Sequence, residues 1–250
     1  MLTDRQAVEL FHLVFLRALV AKGEDRSLFA LKGGCNLRFY FGSIRYSEDM
    51  DLDVRVTSKG TLKNKVDRLL ESPLVSAPLK SHGLDVFEVS APKQTETTQR
   101  WKVGLQRTQG AALRTKIEFS RRASVEGATF EAVPSAVLAV YGMSQVLATH
   151  YTTVAAITQK IGALAQRAQP QARDVFDLSL LLARPDSAKA RAPAAQVRAA
   201  IENAMGLGWD EFQGQVVAYL EPEQAPVFAS KEAWNAMQDE VVARLERLLP

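Results

Sequence analysis

At 250 residues, 47% hydrophobic and 24% charged, the chain reads as an ordinary soluble globular protein, with room for one large domain or two small ones. A single cysteine and three histidines without ligand spacing argue against a disulfide framework or a zinc site, and a net charge of +3 is too small to name a partner. The apolar run 11–20 is too short to span a membrane and is interrupted by His12 and Arg17, and no signal-peptide pattern precedes it, so the cytoplasm is the expected compartment.

Thr3 with Gln6 has the spacing of a capping box. Val8, Phe11, Val14, Phe15 and Ala18 then recur at helical spacing, which predicts an amphipathic helix over 4–22 that covers a sheet. After a turn at 23–26, residues 28–31 lead into Gly33-Gly34, whose backbone can approach a ligand because neither residue has a Cβ. Residues 35–41 read as a helix, and its first N–H groups suit an anion such as a phosphate.

The run Asp49-Met50-Asp51-Leu52-Asp53-Val54 alternates strictly, the period of a strand. Met50, Leu52 and Val54 face a core, and the three aspartates share the other face about 6.6 Å apart at each step. Such crowded carboxylates repel one another, and a cation such as Mg²⁺ relieves them. A calcium loop is ruled out by Val54 and Gly60 where Gly and Glu are needed. The acids alone leave a metal site and a solvated acidic strand edge both open; the Gly-Gly and helix upstream favour the metal site.

Further on, a helix from about 61 to 72, a loop over 72–78 and strands at 84–89, 100–107 and 112–119 are expected, giving a mixed sheet. In the last strand Lys116 and Glu118 face the side of the aspartates if the two strands are neighbours. Seven cations (Arg100, Lys102, Arg107, Arg114, Lys116, Arg121, Arg122) surround one acid, Glu118, a pattern that fits either a solvated face or an RNA backbone. Past Val133-Pro134 the patterns turn helical, with helices expected at 135–150, 153–168, 172–183, 187–205, 209–219 and 231–249. This divides the chain into a sheet domain, 1–125, and an all-helical domain, 126–250.

The string Lys32-Gly33-Gly34-x-x-Leu37-Arg38, continuing through Arg45, Ser47, Asp49 and Asp51, resembles the AbiEii/MenT-like nucleotidyltransferase toxins of the DNA polymerase β-like superfamily. A second stretch, Lys160–Asp177, resembles the same family's downstream signature, with Lys160, Ala163 and Arg167 on one helix and Arg173-Asp174 opening the next. For Arg173 and Asp177 the residues read as a helix hairpin tied by ion pairs. The resemblance spans roughly residues 1–185.

What the resemblance implies is an α+β fold: a polymerase β-like domain with a mixed sheet, then a helical domain that completes the site. It implies transfer of a nucleoside monophosphate from an NTP with Mg²⁺ held by Asp49 and Asp51; the spacing alone also allows 51 and 53. Glu118 would take a proton, and Lys160 would meet charge on the leaving pyrophosphate with Asp174 positioning it or touching the nucleotide. Lys32, Gly33, Gly34, Arg45, Ser47 and Arg167 would bind the nucleotide. The expected acceptor is RNA, above all the tRNA 3′ end, and the expected partner a cognate antitoxin. The alternatives are nucleotidylation of a protein side chain, or a module that binds nucleotide or antitoxin without turnover. The position after the glycines, often Thr or Ser in that family, is Cys35.

Overall fold

The computed structural model describes residues 2–55, 57–108, 110–121 and 126–249. Arg122, the last cation of the basic stretch, lies outside them. The Thr3–Gln6 capping box forms, and helix α1 runs Asp4–Leu19, its apolar stripe buried. Strand β1 (Phe29–Lys32) passes directly into α2 (Gly33–Tyr40), and β2 is Asp49–Val54. Then come α3 (Lys59–Leu70), α4 (Pro73–Lys80), β3 (Leu84–Gln94), β4 (Thr98–Arg107) and β5 (Leu113–Arg121). The α3 cap is Ser58, which accepts from Thr61 N at 3.0 Å, and Thr61 itself lies inside the helix. The loop expected over 72–78 is the helix α4: Pro73 stands in its first turn, where the missing N–H costs nothing.

Further along, β6 (Ala128–Ala132), a short α5 (Ser135–Ala139) and β7 (Leu147–Tyr151) follow. Among the described residues the strands form one mixed sheet in the order β3-β4-β5-β2-β1-β7-β6. β2 is central, antiparallel to β1 and parallel to β5. Met50, Leu52 and Val54 join the core with Trp101, Ile117, Phe119 and the buried face of α1, so the aspartates take the opposite face.

Two expectations about this region are corrected. The single helix over 135–150 is broken after Ala139: Gly142 takes a left-handed turn (φ +57), and the chain leaves it as the strand β7, parallel to β1 at Leu31↔His150. The division at 125/126 therefore moves. One compact unit comprises Met1–Tyr40 and Ser47–Tyr151, the other Phe41–Tyr46 and Thr152–Pro250. The connection between α2 and β2 thus belongs to the second unit. Tyr46 N donates to Tyr219 O at 2.9 Å, Glu221 N donates to Ile44 O at 3.2 Å, and Arg45 bridges Leu220.

The second unit is helical: α6 (Thr153–Gln166), α7 (Ala172–Leu182), α8 (Ala194–Met205), α9 (Trp209–Gln215), α10 (Ala225–Phe228) and α11 (Lys231–Glu246). Pro193 sets the start of α8, so the helix expected over 187–205 is shorter and follows a 3₁₀ turn at Pro185–Lys189. Among the described residues no helix is long and apolar enough to cross a membrane.

Candidate active site

The register of the sheet fixes the first cluster. Asp49 and Asp51 of β2 stand opposite Lys116 and Glu118 of β5, which stand opposite Lys102 and Arg100 of β4. Lys32 of β1 stands opposite Asp51 on the other side. Because side chains alternate between faces, all these groups share the face opposite the core. Lys116 Nζ lies 2.6 Å from Asp49 Oδ2. Arg100 holds Glu118 through Nε at 2.6 Å and Nη2 at 2.5 Å, both on Oε2.

Asp51 lies against the start of α2. Gly33 has φ +65, and a Cβ there would come within 2.8 Å of Asp51 Oδ2. Glycine is required twice over, by the left-handed backbone and by the carboxylate beside it. Burial, then the charges of Asp49 and Glu118, raises the Asp51 pKa against the opposing pull of Lys32 and Lys116. Lys32 donates to Asp53 Oδ1 at 2.6 Å, and Tyr151 donates to Asp53 Oδ2 at 2.6 Å. That accounts for the third aspartate of the run, a buried structural anchor between β1, β2 and β7.

A buried polar chain sets the start of β2. Ser47 Oγ and Cys35 Sγ both donate to the Asp49 carbonyl, at 2.8 and 3.2 Å. Thr115 Oγ1 donates to the Glu48 carbonyl at 2.6 Å, and His12 reaches Thr115 through Nε2 (2.8 Å) and Cys35 through Nδ1 (3.5 Å). Burial drives the His12 pKa down to about 3, so the ring is neutral, and it raises the Cys35 thiol well above its usual range. Ser47 and Cys35 therefore hold the backbone of the acidic strand. Neither Cys35 nor His12 announces this role in the sequence; only the three-dimensional meeting of α1, α2 and β5 reveals it.

The second cluster lies within the helical unit. Lys160 of α6 sits between Asp174 Oδ1 (2.8 Å) and Asp177 Oδ2 (2.5 Å) of α7, both carboxylates fully buried. Arg167 stands 3.5 Å from Asp174 Oδ2 and donates to Gln171 Oε1 at 2.5 Å. Arg45 Nη2 donates to both oxygens of Asp177 at 3.2 Å. Burial works against the Lys160 ammonium, yet Asp177 and Asp174 together raise its pKa; burial likewise works against the Asp177 carboxylate, yet Arg45 and Lys160 lower its pKa. Arg45 is thus a buried partner of Asp177. For Asp177 the ion-paired hairpin reading fits the geometry, while Arg173 has no ion pair among the described residues.

Among the described residues no group of three or more His, Cys, Asp and Glu side chains is placed to hold an ion. Arg100 takes one oxygen of Glu118, which leaves the adjacent aspartates as the candidate protein ligands. The sequence model of the family described as "Nucleotidyl transferase AbiEii toxin, Type IV TA system" matches residues 14–248. The chain belongs to the AbiEii nucleotidyltransferase toxin family. It is a nucleotidyltransferase of a type IV toxin–antitoxin family, which implies a nucleotide substrate and a cognate antitoxin.

The fold of this AbiEii chain is shared by solved structures. MenT4, a nucleotidyltransferase toxin from Mycobacterium tuberculosis, superposes with a TM-score of 0.62 at 16% identity, over 97% of this chain and 84% of that one. JHP933 from Helicobacter pylori superposes with a TM-score of 0.59 at 17% identity, over 97% and 94% of the two chains. No curated protein matches the sequence.

Proposed function

We propose that this AbiEii chain uses Mg²⁺ to transfer a nucleoside monophosphate from an NTP to an RNA 3′ hydroxyl, the tRNA 3′ end above all, in the cytoplasm. The observation that carries the reading is the placement of Asp51 against Gly33, with Asp49 beside it on β2. Two carboxylates suit Mg²⁺, which is commonly held by one or two side chains together with substrate phosphates and water. When bound, the ion neutralises the triphosphate and acidifies the attacking hydroxyl.

The chain's own groups then divide the work. Gly33, Gly34 and the first N–H groups of α2 receive phosphate oxygens. The acceptor oxygen attacks the α-phosphorus, the bond to pyrophosphate breaks, and the hydroxyl proton passes to Glu118. Arg100 grips Glu118 Oε2 and thereby orients Oε1 for that proton. The family signature assigns Lys160 and Arg167 to charge on the leaving pyrophosphate, and the 2.8 Å contact supports Asp174 as the group that orients Lys160. Lys102, Arg114 and Lys116 on the same sheet face as the aspartates support a phosphate-rich acceptor.

Incubation with each α-labelled NTP, Mg²⁺ and total tRNA, followed by a denaturing gel, tests the proposal. Label in tRNA that is lost in Asp49→Ala is the expected result. Label in a protein band would make the acceptor a side chain, and no label with any NTP would leave a binding module.

A further inference from the structure

On the sheet face that carries Asp49 and Asp51, three strands away, stands an exposed aromatic ring. Phe87 of β3 is 48% exposed. It is held in place from two sides. Its Cε1 and Cζ lie 2.6 and 2.8 Å from where a Cβ of Gly104 would be, and the Arg114 guanidinium stands 5.2 Å from the ring centroid. Gly104 is opposite Arg114, and Arg114, Lys116 and Glu118 alternate with the core residues Thr115 and Ile117. The ring therefore shares the face of the aspartates. By strand spacing and rise it is roughly 16 Å from Asp49, a reach of a few nucleotides of extended strand.

We propose that Phe87 is a stacking platform for a base of a single-stranded RNA acceptor, with Arg114 and Lys102 taking its phosphates while its 3′ end lies at Asp49 and Asp51. The inference deepens the RNA-acceptor reading and rests on it. Every base has a π-face, so an exposed ring pinned over a glycine binds a single strand without demanding a sequence. Lys102 is exposed, and the partner of Arg114 is Glu88 in an ion pair exposed on both sides, so a phosphate wins Arg114 at small cost. A peptide strand added to the free edge of β3 is the less suitable occupant. Register breaks at Val86/Glu88 and Ser90/Lys93 interrupt the ladder, and Pro92 has no N–H to offer.

The test measures equilibrium binding of a short mixed-sequence single-stranded RNA to the full chain, and transfer to total tRNA, for Phe87→Ala, Phe87→Leu and Phe87→Trp. Stacking predicts roughly five- to hundredfold weaker binding for Ala and for Leu, with Trp equal to the wild type or tighter. The KM for tRNA should rise in parallel while the KM for NTP stays unchanged. If the ring only covers Gly104, Leu restores whatever Ala loses, and that result overturns the inference, as does unchanged binding by Phe87→Ala. If binding depends on Phe87 but the wild type labels no RNA, the platform stands and the acceptor reading fails.

Discussion

Lys116 donates to Asp49 across the parallel β2–β5 ladder at 2.6 Å, so one oxygen of a candidate metal ligand already faces a positive charge. A divalent ion must compete with that ammonium for Oδ2. The pair is partly exposed, 37% and 25%, which limits its worth to about 1 kcal/mol or less. Lys116→Gln should therefore tighten Mn²⁺ binding in the absence of nucleotide by up to about fivefold, read by calorimetry. Weaker binding would mean that Lys116 organises the aspartates and does not compete for them.

Asp51 carries the opposite strain. Burial and its acidic neighbours raise its pKa, so the folded state holds the proton more tightly than the unfolded chain does. The stability linked to Asp51 is fully present below the ordinary carboxylate range and is lost as pH rises through the raised value. By neutral pH that loss is a burden to the fold. Asp51→Asn should raise the melting temperature of the metal-free protein at pH 7 by a few degrees while abolishing transfer. The gain should vanish at acid pH, where the wild-type residue is neutral too. An Asn variant that melts lower at pH 7 would contradict this account.

The alternation of 49–54 and the Gly-Gly that opens α2 made the acidic strand and its neighbour legible from the residues, because both rest on local periodicity and backbone freedom. The parity of Lys116 and Glu118 correctly put them on the aspartate face. What periodicity cannot report is which carboxylate meets which cation. Glu118 went to Arg100, Lys32 to Asp53 and Arg45 to Asp177, pairings that depend on register and on contacts far apart in sequence. β7 was illegible for a related reason. Its five residues follow an Ala/Leu-rich segment with helical spacing, and the turn at Gly142 decides the outcome.

Gly33 allows a sharper test of the glycine argument. An alanine there must adopt φ +65, which costs about 1–2 kcal/mol, and must displace the Asp51 carboxylate from a 2.8 Å approach. Gly33→Ala should lower the melting temperature and reduce transfer by at least tenfold. Gly60→Ala is the control: a Cβ there meets nothing within 4 Å, and helix propensity favours it by up to about 1 kcal/mol. Transfer by Gly33→Ala at the wild-type rate would remove the Gly33–Asp51 contact from the site.

The Lys160 cluster requires a test that separates chemistry from folding. The Lys160 side chain is 12% exposed between two carboxylates that are 0% exposed, so Lys160→Ala strands buried charge and should cost about 3–5 kcal/mol. Asp177 adds a pH signature. Because Arg45 and Lys160 hold its pKa below the ordinary value, its contribution is present above the carboxylate range and is lost as pH falls through the lowered value. In Lys160→Ala that loss should begin at higher pH, seen as an acid-unfolding midpoint shifted upward. The double variant Lys160→Met/Asp174→Asn removes one charge of each sign and should recover much of the stability. If it folds and transfers no nucleotide, the Lys160–Asp174 pair acts in the reaction. If it folds and transfers at the wild-type rate, Lys160 is a structural cation, and the downstream signature is a hairpin of buried ion pairs.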